Sequence, residues 1–346
     1  MKYRILFVSV VVVLLSISLI SCKHVGFDNE SESSLPFDAN SIDTTNLQKV
    51  RFLPYWVTTA QFAGYYLGKE LGFYKKYGID LEIIPYQPFY TSTDLIAAKE
   101  ADFAALWLIN AIELRESGVD IVNIAQFSSR SSLMFVAKKS SGIENIEDMN
   151  GRKAGTWSGY ELQPTTFFKK FHLNVQLIPI GSTNNLFLND GVEITTANWF
   201  DEYHSIINSG YNPEELTTFF FADYGLNFLE DGIYCLDSLR INDPELCKNF
   251  VLATAESWTY AFSHPDIAID IVIATAQKSN YPINRIHQHW MLNRYRDLYF
   301  SSGTTTTLLD KKDYMFAARV LLESNLIRQI TPYENFYKHY TKKIAP

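Results

Sequence analysis

"TTAQFAGYYLGKELGFYKKYGIDLEI", residues 58–83, decides how the chain is read. Ala63, Tyr66, Leu67 and Leu71 recur at helical spacing, so the first half is a helix. Thr58 or Thr59 is placed to cap its start, and Gly72 to end it. "GIDLEI" then alternates apolar and polar residues as a half-buried strand does. Upstream, "KVRFLPYW" (49–56) is an apolar, β-leaning run. Strand, helix and strand in succession make a β–α–β unit, whose right-handed crossover builds a parallel sheet.

The same alternation continues outward. Strands are expected at "ADFAALW", "VDIVNIAQF", "SLMFVAKKS", "RKAGTW", "NVQLIPIG" and "GVEITTAN". Short helices such as "TSTDLIAAKE", "LINAIELRESG" and "GYELQPTTFFKKF" separate several of them. That makes the chain α/β. From Pro244 the texture becomes helical, with helix starts at Asp243-Pro244 and His264-Pro265.

At the N-terminus, Lys2 and Arg4 precede an apolar run from Ile5 to Ile20, which ends in "LISC". The run is shorter than the ~20 residues that span a bilayer comfortably, and it fits the core of a signal peptide. "LISC" has the pattern of a bacterial lipoprotein signal, with residues 1–21 removed and lipid added at Cys22. The following polar, acidic stretch, residues 22–48, reads as a flexible tether. The protein is therefore expected in the cell envelope, lipid-anchored to a membrane on its periplasmic or extracytoplasmic face.

The remainder exceeds a usual single core, so two lobes are expected. A net charge of −8 without a basic stretch argues against nucleic acid. Cys235 and Cys247 either pair or remain two free buried thiols. His287 and His289 are two apart, which on a helix points them to different faces, and no cluster has metal-ligand spacing. No metal or cofactor is expected.

The run "QFAGYYLGKELGFYKKYGIDLEI" resembles the start of periplasmic solute-binding proteins of ABC importers. Within that group it is similar to the thiamine-pyrimidine and riboflavin branch, near the nitrate, sulfonate and taurine binders. "ADFAALW", "SGIENIEDMNGRKAGTWSG", "ADYGLNFLEDGIYC" and "DPELCKNFVLATAESWTYAFSHPDIAIDIV" agree in order. The resemblance implies a two-lobed, type II-like clamshell, each lobe a mainly parallel sheet flanked by helices. Residues 49–132 and 236–346 would form lobe 1, residues 133–235 lobe 2, and the final helices would close back onto lobe 1. It also implies no catalysis, a small-molecule ligand and ABC permease subunits as partners, with the chain itself a monomer.

Ligands of α/β folds bind beyond the carboxyl ends of the strands. Four strand-to-helix junctions carry tryptophan there: Trp56, Trp107, Trp157 and Trp199, of six in the chain. Flat rings stack on a flat ligand. Gln61, Ser158, Gly159, Tyr160, Asn198 and Glu202 stand beside them, and Asp231 lies in "EDG" at the expected return between lobes. Carboxylates at Glu202, Glu161 and Asp231 suit the amines of an aminopyrimidine; the resemblance puts most weight on Glu202. Each has a structural alternative: tryptophans pack in cores, Glu161 complements a helix start, and Asp231 makes a turn. Of Tyr65 and Tyr66, at most one faces the cleft. Arg130, beside the first crossing, suits an anion or a structural hydrogen bond equally.

The leading reading is capture of a planar heterocycle, a thiamine-precursor pyrimidine or similar, by closure of the clamshell. The four junctions hold no basic residue, which argues against sulfonate, taurine or nitrate; riboflavin binding is a further alternative. A related enzyme of this fold makes the thiamine pyrimidine from pyridoxal phosphate and its own histidine. Here Gln61 stands where that pattern has the histidine, no lysine follows "ADFAALW", and Cys235 is alone where the enzyme has a cysteine-rich run. A sensing role beside a membrane kinase is the third reading.

Overall fold

The computed structural model describes residues 35–87, 89–299 and 307–340. The leader and Cys22 lie outside the described residues. The chain divides into Met1–Asp38 and Ala39–Pro346, and the fold belongs to the second unit. Part of the expected tether is regular: a 3-10 turn, Ala39–Ser41, precedes the first strand among the described residues.

Two five-stranded sheets form. The first contains β1 (Gln48–Leu53), β2 (Ile79–Ile83), β3 (Phe103–Leu106), β4 (Ile121–Gln126) and β10 (Gly232–Leu236), in the order β2-β1-β3-β10-β4. The second contains β5 (Leu133–Lys138), β6 (Lys153–Trp157), β7 (Gln176–Ile180), β8 (Ile194–Asn198) and β9 (Leu216–Phe220), in the order β7-β6-β8-β5-β9. The two layouts match. β1 pairs in parallel with β2 and β3, and β6 with β7 and β8. The strand that enters from the other lobe, β10 or β5, inserts antiparallel between the third strand and the edge strand.

β4 and β5 are buried along their whole length. Their near-continuous apolar runs, "IVNIAQ" and "LMFVAK", are what a strand covered on both faces requires. β1 ends at Leu53, three residues short of the expected Trp56, because Pro54 has no N–H for a ladder. β9 was not foreseen: the mixed "LTTFF" lacks the alternation that marks β2. All of β10 pairs within the first sheet, so the return between lobes precedes Gly232 and the boundary expected at residue 235 falls inside a strand.

The helices are α1 (Ala63–Glu70), α2 (Phe73–Lys76), α3 (Ser92–Ala97), α4 (Leu108–Glu116), α5 (Leu162–Lys170), α6 (Asn185–Leu188), α7 (Glu202–Asn208), α8 (Asp237–Asn242), α9 (Pro244–Ser263), α10 (Pro265–Lys278), α11 (Arg285–Tyr299), α12 (Lys311–Glu323) and α13 (Tyr333–Phe336). A 3-10 turn, Ala60–Phe62, leads into α1, and neither Thr58 nor Thr59 caps it. Thr58 Oγ1 instead lies 3.1 Å from Tyr66 Oη. Gly72 does end α1, at φ 84°. Thr91 closes a capping box at α3 with Asp94, and Asp243 accepts from the Leu246 N–H at the start of α9.

α9 and α10 pack on α1, and α12 on α4, all in the first lobe. α1 lies close to α9 because it presents Gly64 and Gly68 to Trp258 and Ser257. Most of the aromatic residues serve packing of this kind. In the second lobe Phe135 stacks on Phe168 at 4.9 Å and meets Phe167 edge-on at 5.1 Å.

Residues 127–132 carry the chain to the second lobe and residues 221–231 carry it back. Polar side chains tie the two crossings together. Asn227 Oδ1 accepts from the Ser131 N–H at 2.8 Å, and its amide donates to the Ser129 carbonyl at 3.2 Å. The buried Glu230 carboxylate accepts from Ser131 Oγ at 2.8 Å and the Ser132 N–H at 3.2 Å. Arg130 pairs with Asp223 at 2.7 Å, which makes it part of this tie. Cys235 and Cys247 are free buried thiols. Contact with Cys247, reinforced by burial, pushes the Cys235 thiol up.

Candidate functional site

Between the carboxyl ends of the two sheets lies a cavity of about 330 Å³. Strand ends build its walls, as the fold dictates. From the first lobe, the loop after β1 supplies Tyr55, Trp56 and Gln61, and the junction of β3 with α4 supplies Trp107. From the second lobe, the end of β6 supplies Trp157, Ser158 and Tyr160; the end of β7 supplies Ile180, Gly181 and Ser182. Asn198, Phe200, Asp201 and Glu202 come from the end of β8 and the start of α7. None of these residues is basic.

Eight of the candidate residues meet here: Trp56, Gln61, Trp107, Trp157, Ser158, Tyr160, Asn198 and Glu202. Four do not line the cavity. Tyr65 is buried and stacks on Phe52 at 4.1 Å, with Trp258 edge-on at 6.0 Å. Tyr66 is turned to Thr58, so neither tyrosine of the pair faces the cleft. Trp199 points away toward Phe220 and lies under the Arg294 guanidinium at 4.6 Å. Gly159 sits at φ 87° on an exposed turn, where its N–H donates to Glu161 Oε1 at 3.1 Å. Asp231 is buried behind the wall.

Asp231 shapes the site from there. Tyr55 Oη donates to Asp231 Oδ1 at 2.8 Å, and Gln61 Nε2 donates in turn to Tyr55 Oη. The wall thus takes up a Gln61 amide N–H, which fixes the orientation of that side chain. Burial raises the Asp231 pKa to about 6, a rise opposed by the Tyr55 hydrogen bond.

Glu202 opens α7, and its Oε2 accepts from the Asn198 N–H at 2.9 Å. It keeps some exposure toward the cavity but is closely surrounded by protein. Burial first, and the neighbouring Asp201 carboxylate second, raise its pKa to about 8. A carboxyl in that range is largely protonated at neutral pH, so it can donate one hydrogen bond and accept another.

The cleft is also bridged by a helix. On α11, Gln288 Oε1 accepts from the Ala60 N–H at 2.7 Å in the first lobe. From the same helix, His287 Nε2 lies 2.8 Å from Asp201 Oδ1, and the Trp290 indole N–H donates to the Trp199 carbonyl at 3.0 Å, both in the second lobe. His204 stacks on Trp290 at 4.6 Å with its Nδ1 2.8 Å from that of His287. The final helices therefore do not close on lobe 1 alone. The single pattern that could have signalled this is "IHQHW", where His287 and Trp290 stand three apart on one helix face.

Tyr55, Ile180, Gly181, Ser182, Phe200 and Asp201 were not among the candidates. The strand-end rule that found Trp157 would have found Ile180 to Ser182 if applied to "NVQLIPIG". Among the described residues no group of His, Cys, Asp and Glu could hold a metal ion, and no helix is long and apolar enough to cross a membrane.

A family model described as "NMT1/THI5 like" matches residues 59–268. The chain belongs to this family. The NMT1/THI5-like chain is 23% identical to the 4-amino-5-hydroxymethyl-2-methylpyrimidine phosphate synthase of Legionella pneumophila, across 68% of this chain and 76% of that protein. It is also 23% identical to the riboflavin-binding protein RibY of Chloroflexus aurantiacus, across 78% of each. Its fold is that of the periplasmic binding proteins. The periplasmic aliphatic sulphonate binding protein SsuA of Escherichia coli superposes with a TM-score of 0.65 at 13% identity, covering 83% of this chain and 91% of that one.

Proposed function

We propose that this protein is the lipid-anchored, extracytoplasmic binding subunit of an ABC importer, and that it captures a small planar nitrogen heterocycle by closing two lobes around it. One observation carries the reading. The cavity joins the rings of Trp56, Trp107 and Trp157 to Asn198, Asp201 and Glu202, and offers an anion no basic side chain. A sulfonate or nitrate buried there would lose its water without gaining a cationic partner. A neutral Glu202 instead matches the edge of an aminopyrimidine, whose ring nitrogen accepts and whose amine donates. The likeness to the pyrimidine phosphate synthase and the riboflavin binder supports a ring-shaped ligand in the family. Lipid at Cys22 would keep the protein beside its permease, since several acyl chains bind far more firmly than one.

A thermal-shift series with 4-amino-5-hydroxymethyl-2-methylpyrimidine, thiamine, riboflavin and taurine tests the ligand class. Stabilisation by a ring compound is expected; stabilisation by taurine alone would overturn the reading.

The likeness to the synthase supports a second reading, an enzyme. The cavity lining argues against it, with no lysine to form an imine with a pyridoxal aldehyde and no histidine to consume. Incubation with pyridoxal phosphate and iron, followed by intact mass, decides: an unchanged mass favours binding, loss of side-chain atoms the enzyme.

A further inference from the structure

A second cavity, of about 350 Å³, adjoins the first and shares Tyr55, Trp56, Trp107 and Tyr160 with it. Trp107 of the first lobe meets Tyr160 of the second edge-on at 5.1 Å, so the shared wall itself spans the cleft. Beyond it, Trp56 packs on Tyr86 at 5.1 Å, and the loop continues into Phe89 and Tyr90. Those two rings are 92% and 60% exposed, large apolar surface left bare at the mouth of a cleft. The lining also includes Ser92, Thr93 and Asn110.

The chemistry of this chamber is narrow. Its lining contains no Lys, Arg, His, Asp or Glu. A charged group enclosed there would be desolvated with no opposite charge to pair with. Aromatic faces with neighbouring hydroxyl and amide groups suit an uncharged group that is partly apolar and bears hydroxyls. Size points the same way. The first chamber alone lies at the small end of the ~300–1,000 Å³ usual for ligand pockets, and the two together fall well inside that range.

We infer that the cargo has two parts: a flat heterocycle held in the first chamber and an uncharged, hydroxyl-bearing arm that passes the Trp107–Tyr160 pair into the second. The inference rests on the proposed binding function, and it adds that a single ring does not fill the site. Covering Phe89 and Tyr90 is what the arm contributes.

Calorimetry on the purified chain tests this with three probes: 4-amino-5-hydroxymethyl-2-methylpyrimidine as a lone ring, riboflavin as a ring with a neutral polyol arm, and riboflavin 5′-phosphate as the same arm charged. The expected order is riboflavin at least tenfold tighter than either of the others. Ser92→Trp, which fills the second chamber, should remove that advantage and leave the Kd of the lone ring unchanged. Asn110→Leu is the companion variant, losing a polar contact at similar volume; it should weaken riboflavin alone, and melting curves verify that both variants fold. Equal or tighter binding of the lone ring, or equal loss for both compounds in Ser92→Trp, overturns the two-part cargo while the heterocycle site stands. If the unmodified protein binds none of the three, the two-part cargo falls, and the thermal-shift series decides separately whether the heterocycle reading stands.

Discussion

His287 on α11 holds Asp201 across the cleft, its Nε2 2.8 Å from Asp201 Oδ1, one residue before Glu202 on the cavity wall. α11 thereby ties the second lobe to a loop of the first, next to Gln61. His287→Ala should loosen that tie. A hydrogen bond of this kind contributes ~1 kcal/mol, so ligand affinity should fall roughly fivefold. Small-angle scattering of the empty variant should show a larger radius of gyration; an unchanged radius and Kd would mean that the two crossings alone set the angle.

Stability should peak in mildly acidic solution. Burial raises Glu202 and Glu230 to about 8 and Asp231 to about 6. Raised carboxyls bind protons in the folded state that the unfolded chain has released. Their stabilisation is therefore full below the ordinary carboxylate range and is lost as pH rises toward 8. His204 acts in the opposite sense. Burial, aided by the charge of His287, lowers its pKa, so its contribution is present above about 6.5 and is lost as pH falls below that value. Across pH 5–9 the three carboxyls outweigh the one histidine, so melting temperature should be highest at the acid end and fall as pH rises toward 8, and Glu230→Gln should make that fall shallower.

Binding of an aminopyrimidine should weaken above pH 8, where Glu202 loses the proton it donates. Glu202→Gln keeps a donor and an acceptor at the same place without titrating. Its affinity should be nearly independent of pH, as calorimetry at pH 7 and 9 will register; the same slope in both proteins would assign the proton to another group.

Trp157→Ala should cost roughly tenfold in affinity for any ring ligand, the loss of a stacking face together with buried area. Trp199→Phe is the matched control and should leave Kd unchanged, since Trp199 packs under Arg294 outside the cavity.

Gly64→Ala tests the packing of α1. An added Cβ would sit 2.4 Å from the Trp258 ring, which is fully buried and cannot retreat. Overpacking of this kind destabilises by ~1–3 kcal/mol, and urea denaturation should record it as a lower midpoint at unchanged slope.

The fold was legible where local pattern and burial agree, as in the alternation of β2, the capping box at Thr91 and the proline-led starts of α9 and α10. β9 was hidden because its "LTTFF" contacts are decided by the pairing with β5, which no local period encodes. Within the site, the strand-end rule located Trp56, Trp107 and Trp157 but could not orient them. Trp199 obeys the same rule in sequence, yet Arg294, ninety-five positions later, draws its ring outward. Asp231 was assigned to the ligand, and it acts through Tyr55 and Gln61 instead. That relay of hydroxyl and amide joins residues from distant segments, which spacing along the chain does not reveal.

Glu230 and Asp231 are neighbours along the backbone, with Asp231 held in the left-handed region at φ 57°. One clasps the strap leading to the far lobe and the other props the partition that faces the cavity. Any rotation about that single peptide unit must therefore tilt the partition as it swings the lobes. On the proposed function, an empty and a filled protein would then differ in outline as well as content, and a permease reading only the exterior could tell which has arrived.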